Sequence, residues 1–436
     1  MEYDLIIKNG LLIDPAVGFT KKADIAIKQG LIAKIFEDNS FPEELLKSYP
    51  ADKVIDAGNC SVTPGLIDIH VHFREPGRED KETIISGSQA AAAGGFTAVC
   101  CMPNTTPAID NQETVKFVQS LAEKGSCRVF CIGAVTKNRA GEELSEIGDL
   151  VKAGVVAISD DGDYVQNPEM MRRALEYARM FDLPVISHAE DIYLAGGGKM
   201  NESFQSSRLG IPGRPAVAEE IAIIRDIKLA GLTGSRLHIA HVSTAGGVEA
   251  IRRGKAEGVR VTAEVTPHHF SLTDDLIGQK FDTNFRVNPP LRSEADRLAV
   301  IEGLVDGTID CIASDHAPHT EEEKDVEFDL APPGMIGLET SLGLAITNLV
   351  QKGYMTLPDL VRKMSAEPAK ILSLQPGGFN IGDMADLTIF NPDEEWTVLA
   401  EKFKSKSKNS PFIGYKLKGK IKATITGGRI TFRAGN

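Results

Sequence analysis

Pro64-Gly65-Leu66-Ile67-Asp68-Ile69-His70-Val71-His72-Phe73-Arg74-Glu75 is an apolar run that carries two histidines two residues apart and then breaks into charge. Along a β-strand, residues i and i+2 point to the same face. His70 and His72 therefore project side by side, as two ligands of one metal must, and Arg74 continues that face where the strand ends. One His-x-His pair is weak evidence by itself, since a buried strand can carry histidines that only pack or hydrogen-bond. The rest of the 436-residue chain has to decide.

Seven more apolar stretches of strand length follow, at 97–102, 128–135, 155–160, 184–188, 236–242, 259–265 and 310–314. Helix-length segments lie between them, among them 83–93, 168–180, 216–230 and 294–305. Counting 66–73, these are eight β-then-α units. Such units bury both faces of a parallel sheet, and eight of them predict an α/β fold, a closed (β/α)8 barrel of the TIM type. The alternative, an open doubly wound sheet binding a dinucleotide, is weakened because no Gly-x-Gly-x-x-Gly opens a helix after the first strand. Both ends of the chain read differently, as short strands with tight turns at Asn9-Gly10, Gln29-Gly30 and Gly427-Gly428. The expected organisation is a barrel over 63–380, flanked by segments 1–62 and 381–436 that meet in one small sheet domain.

Apolar residues make up 42% of the chain and charged ones 25%, as in an ordinary soluble protein. A net charge of −13 argues against a nucleic-acid partner, whose phosphates need a basic surface. The beginning of the chain lacks a charged-then-apolar signal pattern, and no apolar run is long enough to cross a bilayer. The six cysteines form no Cys-x-x-Cys pair and read as buried reduced thiols, so a cytoplasmic location without a membrane partner is expected.

In a barrel of this kind the active site lies at the C-terminal ends of the strands. The first strand ends in His70, His72 and Arg74, and the second is followed by Asn104. The fourth ends in Asp160-Asp161-Gly162, the fifth in His188-Ala189-Glu190, and the sixth in His238-Ile239-Ala240-His241. Asn288 follows the seventh, and the eighth ends in Asp315-His316-Ala317-Pro318-His319. Core histidines scattered at random would not collect on one rim, and this favours the metal site. Strand alternation sets His238 and His241 on opposite faces, so only one faces the axis. His241, nearer the C-terminal end, is the expected ligand. Asp160 and Asp161 diverge likewise: one is a ligand and the other caps or hydrogen-bonds. His268 and His269 are expected to be structural. His316 should point away, and His319, farther out in its loop, should touch substrate rather than metal.

The donor set is then His70, His72, His188, His241, Asp161 and Asp315. Four imidazoles and two carboxylates exceed what one tetrahedral zinc takes. They suit two ions about 3.5–4 Å apart that share a ligand. Nitrogen and oxygen donors without thiolate favour Zn²⁺, with Co²⁺ or Mn²⁺ as alternatives. A water between such ions is deprotonated near neutral pH, and Asp315 is placed to carry its proton.

The motifs Asp68-Ile69-His70-Val71-His72-Phe73-Arg74-Glu75-Pro76-Gly77, Met102-Pro103-Asn104-Thr105, Asp160-Asp161-Gly162, His238-Ile239-Ala240-His241-Val242-Ser243-Thr244, Asn288-Pro289-Pro290-Leu291-Arg292 and Asp315-His316-Ala317-Pro318-His319 span most of the chain. Together they resemble the amidohydrolase superfamily, and more closely its bacterial type I dihydroorotases. The resemblance implies a (β/α)8 barrel with a small β-sandwich built from both chain ends. It implies that His70 and His72 bind one zinc, that Asp161 bridges to a second held by His188 and His241, and that Asp315 completes the first site and carries the proton. It implies that Arg74, Asn104 and His319 grip a substrate carboxylate, while Asn288 and the backbone at Pro333 and Gly334 contact ring amides. The activity implied is reversible cyclisation of N-carbamoyl-L-aspartate to L-dihydroorotate plus water, in pyrimidine (UMP) biosynthesis. The assembly stays open at this point, between a homodimer and association with aspartate transcarbamoylase.

Hydantoinases and several relatives bridge their metals with a carboxylated lysine. The fourth strand here, Val155-Val156-Ala157-Ile158-Ser159-Asp160-Asp161, has none, which fits the type I group. Two other readings stay in view: a hydantoinase- or allantoinase-like amidase, whose substrates mostly lack the ring carboxylate that Arg74 would meet, and a non-catalytic scaffold, which need hold no metal. The acidic segment 320–335, ending in Pro332-Pro333-Gly334, is either a loop that covers the site or an inert surface excursion.

Overall fold

A computed structural model describes residues 2–435. Eight parallel strands form the barrel: Leu66–Val71, Phe96–Cys101, Arg128–Gly133, Ala157–Ser159, Val185–Ser187, Leu237–Ile239, Val261–Val265 and Cys311–Ile312. They neighbour one another in chain order. Val71 bridges in parallel to His316, and the His72 amide donates to the His316 carbonyl at 2.9 Å, joining the eighth strand's exit to the first strand.

The helices between strands follow local rules. Pro168–Arg179 starts with proline in its first turn and with the Asn167 side chain accepting the Glu169 amide; it buries Met171, Ala174, Leu175 and Ala178, three to four residues apart. Ile84–Ala93 opens with Thr83 and Ser86 capping each other's backbone, and it packs small residues inward. Gly87 is needed there, because a Cβ would run into the Phe73 ring.

Inside the barrel, Ile67, Ile69, Cys100, Ile132, Ala157, Ile186, Ala240, Cys311 and Ala313 form one cluster, while alternate residues such as Val99, Ile158, Val185 and Ile239 pack outward on the helices. This two-residue period aims the residues just beyond each strand into the mouth or away from it.

Both chain ends join one hydrogen-bonded sheet. Lys416–Thr426 lies between Arg429–Arg433 and Leu387–Thr397, which pairs with Ser61–Pro64; that strand pairs with Leu5–Asp14, followed by Phe19–Lys28 and Leu31–Glu37. Val54–Asp56 also pairs with Leu5–Asp14. Asn9-Gly10 is not a hairpin turn. The first strand runs straight through it with a bulge at Asn9, whose φ is 61°, and the chain reverses after Asp14 instead. Gln29-Gly30 and Gly427-Gly428 do turn hairpins. The sheet is fastened to the barrel by the Arg128–Asp386 ion pair and by Thr388 and Thr424 hydroxyls donating to the Gly95 and Ala92 carbonyls, each at 2.6 Å.

Among the described residues, no helix is long and apolar enough to cross a membrane.

Candidate active site

Asp161 sits at the centre of the barrel mouth. Its Oδ1 lies 3.4 Å from His70 Nε2, 3.4 Å from His188 Nδ1 and 3.5 Å from His241 Nε2, and its Oδ2 lies 3.5 Å from His72 Nε2. Asp315 Oδ1 is 3.0 Å from His72 Nε2 and 3.5 Å from His70 Nε2. All six side chains are buried. One carboxylate thus faces four imidazoles, and a second faces the pair on the first strand.

The strand period explains most of this convergence. Asp161 shares its parity with Ala157, His188 with Ile186, and Asp315 with Cys311 and Ala313, all of which point inward. Asp160, one residue off, turns outward and accepts from the Val135 and Thr136 amides at 2.8 and 3.0 Å. On the first strand, the pairing with its neighbour slips between Asp68 and Val71. After the slip His70 and His72 lie on one face, with Val71 and Phe73 on the other.

The sixth strand departs from expectation. His238 and His241 both face the interior, because His241 has φ 34° and so breaks the alternation just past the strand end. Asp315, at φ 49°, and Arg74, at φ 64°, are held in the same region. Non-glycine residues rarely adopt it, and it persists where the surroundings over-determine it.

Glu264, on the seventh strand, was missed by sequence reasoning. Its Oε1 lies 2.5 Å from His70 Nδ1 and accepts the His241 amide at 3.3 Å, while Oε2 lies 3.1 Å from His238 Nε2. A carboxylate on Nδ1 fixes the His70 tautomer and leaves Nε2 as the free donor. Inward parity on a barrel strand was the available signal. Asn104 Oδ1 does the same for His72, at 2.8 Å from Nδ1. Asn288 donates Nδ2 to His188 Nε2 at 3.1 Å.

The electrostatics suit a cation. Burial works against a charged His70 ring, but Asp161 and Glu264 outweigh it and raise its pKa well above the usual value. Burial likewise raises Asp161 and Asp315, and the surrounding histidines pull both below the ordinary carboxylate range. Glu264, opposed by burial but held by His70 and His238, is lowered to about 2. A pocket that stabilises protons between imidazoles and carboxylates will stabilise a metal there. The buried atoms His70 Nε2, Asp161 Oδ1 and His241 Nδ1 have no hydrogen-bond partner among the described residues. The first two face one another at the centre, in a donor set of nitrogen and oxygen, so a metal pair fits the residues present.

Beside this cluster lies the corner expected to meet substrate. Arg74 Nε donates to the Pro318 carbonyl at 3.2 Å, and among the described residues no carboxylate pairs with its guanidinium. Burial lowers its pKa to about 10, so it is still charged at neutral pH. His319 Nε2 lies 3.0 Å from the Pro333 carbonyl, and its Nδ1 lies 3.3 Å from Lys81 Nζ and 3.0 Å from Glu323. Burial and the cations around it lower His319 to about 3, so the ring is neutral. Gly334 comes so close that a Cβ would stand 3.0 Å from His319 Nε2. Asn288 lies on the opposite side, where its Oδ1 meets Arg214.

Of the remaining histidines, His316 and His269 are hydrogen-bonded by the protein, while the buried Nε2 of His268 has no partner among the described residues. His316 Nε2 faces Glu82 at 3.3 Å, and His269 sits between Thr266 Oγ1 and the Pro289 carbonyl, at 2.8 and 3.0 Å. His268 packs against His269 with its ring centre 4.4 Å away.

Residues 60–246 match the family model described as Dihydro-orotase-like. A protein of Pelotomaculum thermopropionicum named Dihydroorotase is 52% identical over 98% of this chain and 98% of its own length. The chain belongs to the dihydroorotase family. A Dihydroorotase of Geobacter metallireducens is 50% identical over 99% of this chain and 100% of its own length. Among solved structures, the L-hydantoinase (dihydropyrimidinase) of Arthrobacter aurescens superposes with TM-score 0.87 at 29% identity, covering 100% of this chain and 97% of that one. The protein is accordingly an enzyme, a metal-dependent cyclic amidohydrolase, with the barrel and accessory sheet that this family shares.

Proposed function

We propose that this enzyme is a dihydroorotase, interconverting N-carbamoyl-L-aspartate and L-dihydroorotate at the Asp161-centred cluster. The observation that carries the choice is Arg74: a half-buried guanidinium without a carboxylate partner among the described residues, next to a metal-competent cluster, matches a cyclic amide bearing a ring carboxylate. His70, His72 and Asp315 would hold one metal, His188 and His241 the other, with Asp161 between them; zinc, two per chain, is the proposed identity. Bound there, the metals supply a nucleophilic water near neutral pH and polarise the amide carbonyl.

The chain's own residues do the rest. Arg74, together with Asn104 and His319, takes the carboxylate and so fixes the ring's orientation. Asn288 and the backbone at Pro333 and Gly334 meet the amide groups. In hydrolysis, Asp315 accepts the proton of the attacking water and delivers it to the ring nitrogen as the C–N bond breaks. In cyclisation, the carbamoyl nitrogen attacks the side-chain carboxyl carbon, the C–N bond forms and C–O breaks. Asp315 then moves the nitrogen's proton to the departing oxygen. Because His70 and His72 hold Asp315 ionised against its burial, it is available to accept that proton.

The test is steady-state turnover of L-dihydroorotate beside hydantoin, with metal quantified on the same sample. Dihydroorotate turnover with about two metals per chain is expected; turnover of hydantoin alone would give the site to the hydantoinase-like reading. A cytoplasmic location, self-association and association with aspartate transcarbamoylase are proposals of the same standing. Sedimentation of the chain alone and mixed with that enzyme tests the two associations, and this chain sedimenting as a 47.0 kDa species in both samples would remove them.

A further inference from the structure

The segment Phe403–Asn409 lies outside the barrel strands and belongs to no function assigned above. Its burial alternates strictly: Phe403, Ser405, Ser407 and Asn409 are buried, and Lys404, Lys406 and Lys408 are exposed. The inward side chains are mostly polar, and each has a partner in the loops around the barrel mouth. Ser405 Oγ donates to Glu82 at 2.5 Å, and Ser407 Oγ to the Lys81 carbonyl at 2.7 Å. Asn409 makes the most of its position. Its Oδ1 accepts the His319 amide at 3.1 Å, and its Nδ2 donates to the Ala317 carbonyl at 3.1 Å and the Gly334 carbonyl at 3.2 Å. Its own carbonyl accepts the Ile336 amide at 3.0 Å.

One buried amide thus bonds both ends of the loop that forms the carboxylate corner, the end carrying His319 and the end carrying Gly334. No other polar side chain among the described residues bonds main-chain groups of both. Without it, one amide and two carbonyls lose their partners in a buried setting, where such groups seek new ones by moving. A shift of about 1 Å in residues that orient a substrate is enough to cost binding or rate substantially.

We infer that Asn409 is a positioning residue for the substrate carboxylate: through its three hydrogen bonds it holds His319 and Gly334 in register with Arg74, so that a segment from the far end of the chain completes the substrate site. The inference rests on the proposed role of the Arg74 corner. It assigns Asn409 no contact with substrate or metal.

The test uses the full-length, metal-loaded enzyme with L-dihydroorotate, comparing wild type, Arg74→Ala, Asn409→Ala and the isosteric Asn409→Asp, which keeps the acceptor and loses the donors. Both Asn409 variants are expected to raise KM about tenfold or more while kcat stays within about threefold and metal content stays at the wild-type level. If Arg74→Ala leaves KM unchanged, the carboxylate corner itself is misassigned. If Arg74→Ala raises KM and the Asn409 variants do not, Asn409 does not position that corner. Loss of kcat together with metal, or failure of both Asn409 variants to fold, would make the residue a structural support only and overturn the inference.

Discussion

The barrel mouth contains two corners built in different ways. At the metal corner every donor lies at or just past the end of a parallel strand; strand parity orients all but His241, whose φ of 34° overrides it, and a carboxylate or amide stands behind several of the rings, as Glu264 behind His70 and Asn104 behind His72. At the carboxylate corner nothing comes from a strand interior. Arg74, His319 and Gly334 sit on loops, and their registers are set by contacts between distant segments: Arg74 with Pro318, His319 with Asn409, Lys324 with Thr283. Bond-making demands fixed geometry, which rigid elements supply, whereas recognition of a ring substituent can be placed on tethered loops that differ between relatives sharing one barrel.

Breaking the metal corner should have the largest effect. Asp161 faces all four histidines, so Asp161→Ala removes the shared acceptor and leaves their lone pairs crowded. Metal content and dihydroorotate turnover should fall together, turnover by about 10³-fold or more. Elemental analysis of the purified variant checks this, and an unchanged metal stoichiometry would remove Asp161 from its central role. Glu264→Gln sharpens the same point more gently. It keeps the shape but loses the charge behind His70, and metal affinity should weaken about 10–100-fold. Competition with a chelator measures it; an affinity equal to wild type would mean that the His70 tautomer is set by something else.

The same contrast explains what could be read from the chain. The eight strands were legible because each is a short apolar run and the polar groups collect at one end of all of them. His188 and Asp315 follow a period of two, and the same period separates Asp161 from Asp160 without choosing between them. His238 and His241 did not, because a single backbone angle at His241 overrides the alternation and no residue type announces it. The Asn9-Gly10 bulge misled for a related reason, since the same dipeptide suits a turn or a bulge and the partner strand decides. Glu264 lay hidden in a strand that looked purely structural. Asn409 was out of reach, because its partners His319 and Gly334 are 90 and 75 residues away and nothing in the local pattern Lys-x-Lys-x-Lys points to them.

The smallest effect belongs to the loop over 320–335, which we propose as the cover of the site. It carries a short helical turn, Glu321–Lys324, and is tethered from within: Lys324 Nζ donates to the Thr283 carbonyl at 3.1 Å and the Pro332 carbonyl at 2.8 Å, and Phe328 is buried against Met200 and Ile277. Burial, reinforced by Arg286 and opposed by Asp282 and Glu323, lowers the Lys324 amine to about 7. An unfolded lysine keeps its proton to about pH 10. Between pH 7 and 10 the unfolded chain therefore binds more protons at this position than the folded one, and stability rises with pH, by less than about 1.4 kcal/mol per unit. Below pH 7 both states are protonated and this slope vanishes. Lys324→Met retains the buried chain and has no proton to lose, so the difference in urea midpoint between pH 7.5 and 9.5 (about one Lys324 titration apart) should shrink in the variant, with turnover at neutral pH nearly unchanged. Equal pH dependence in the two proteins would mean that the Lys324 amine stays charged in its carbonyl cage over this whole range.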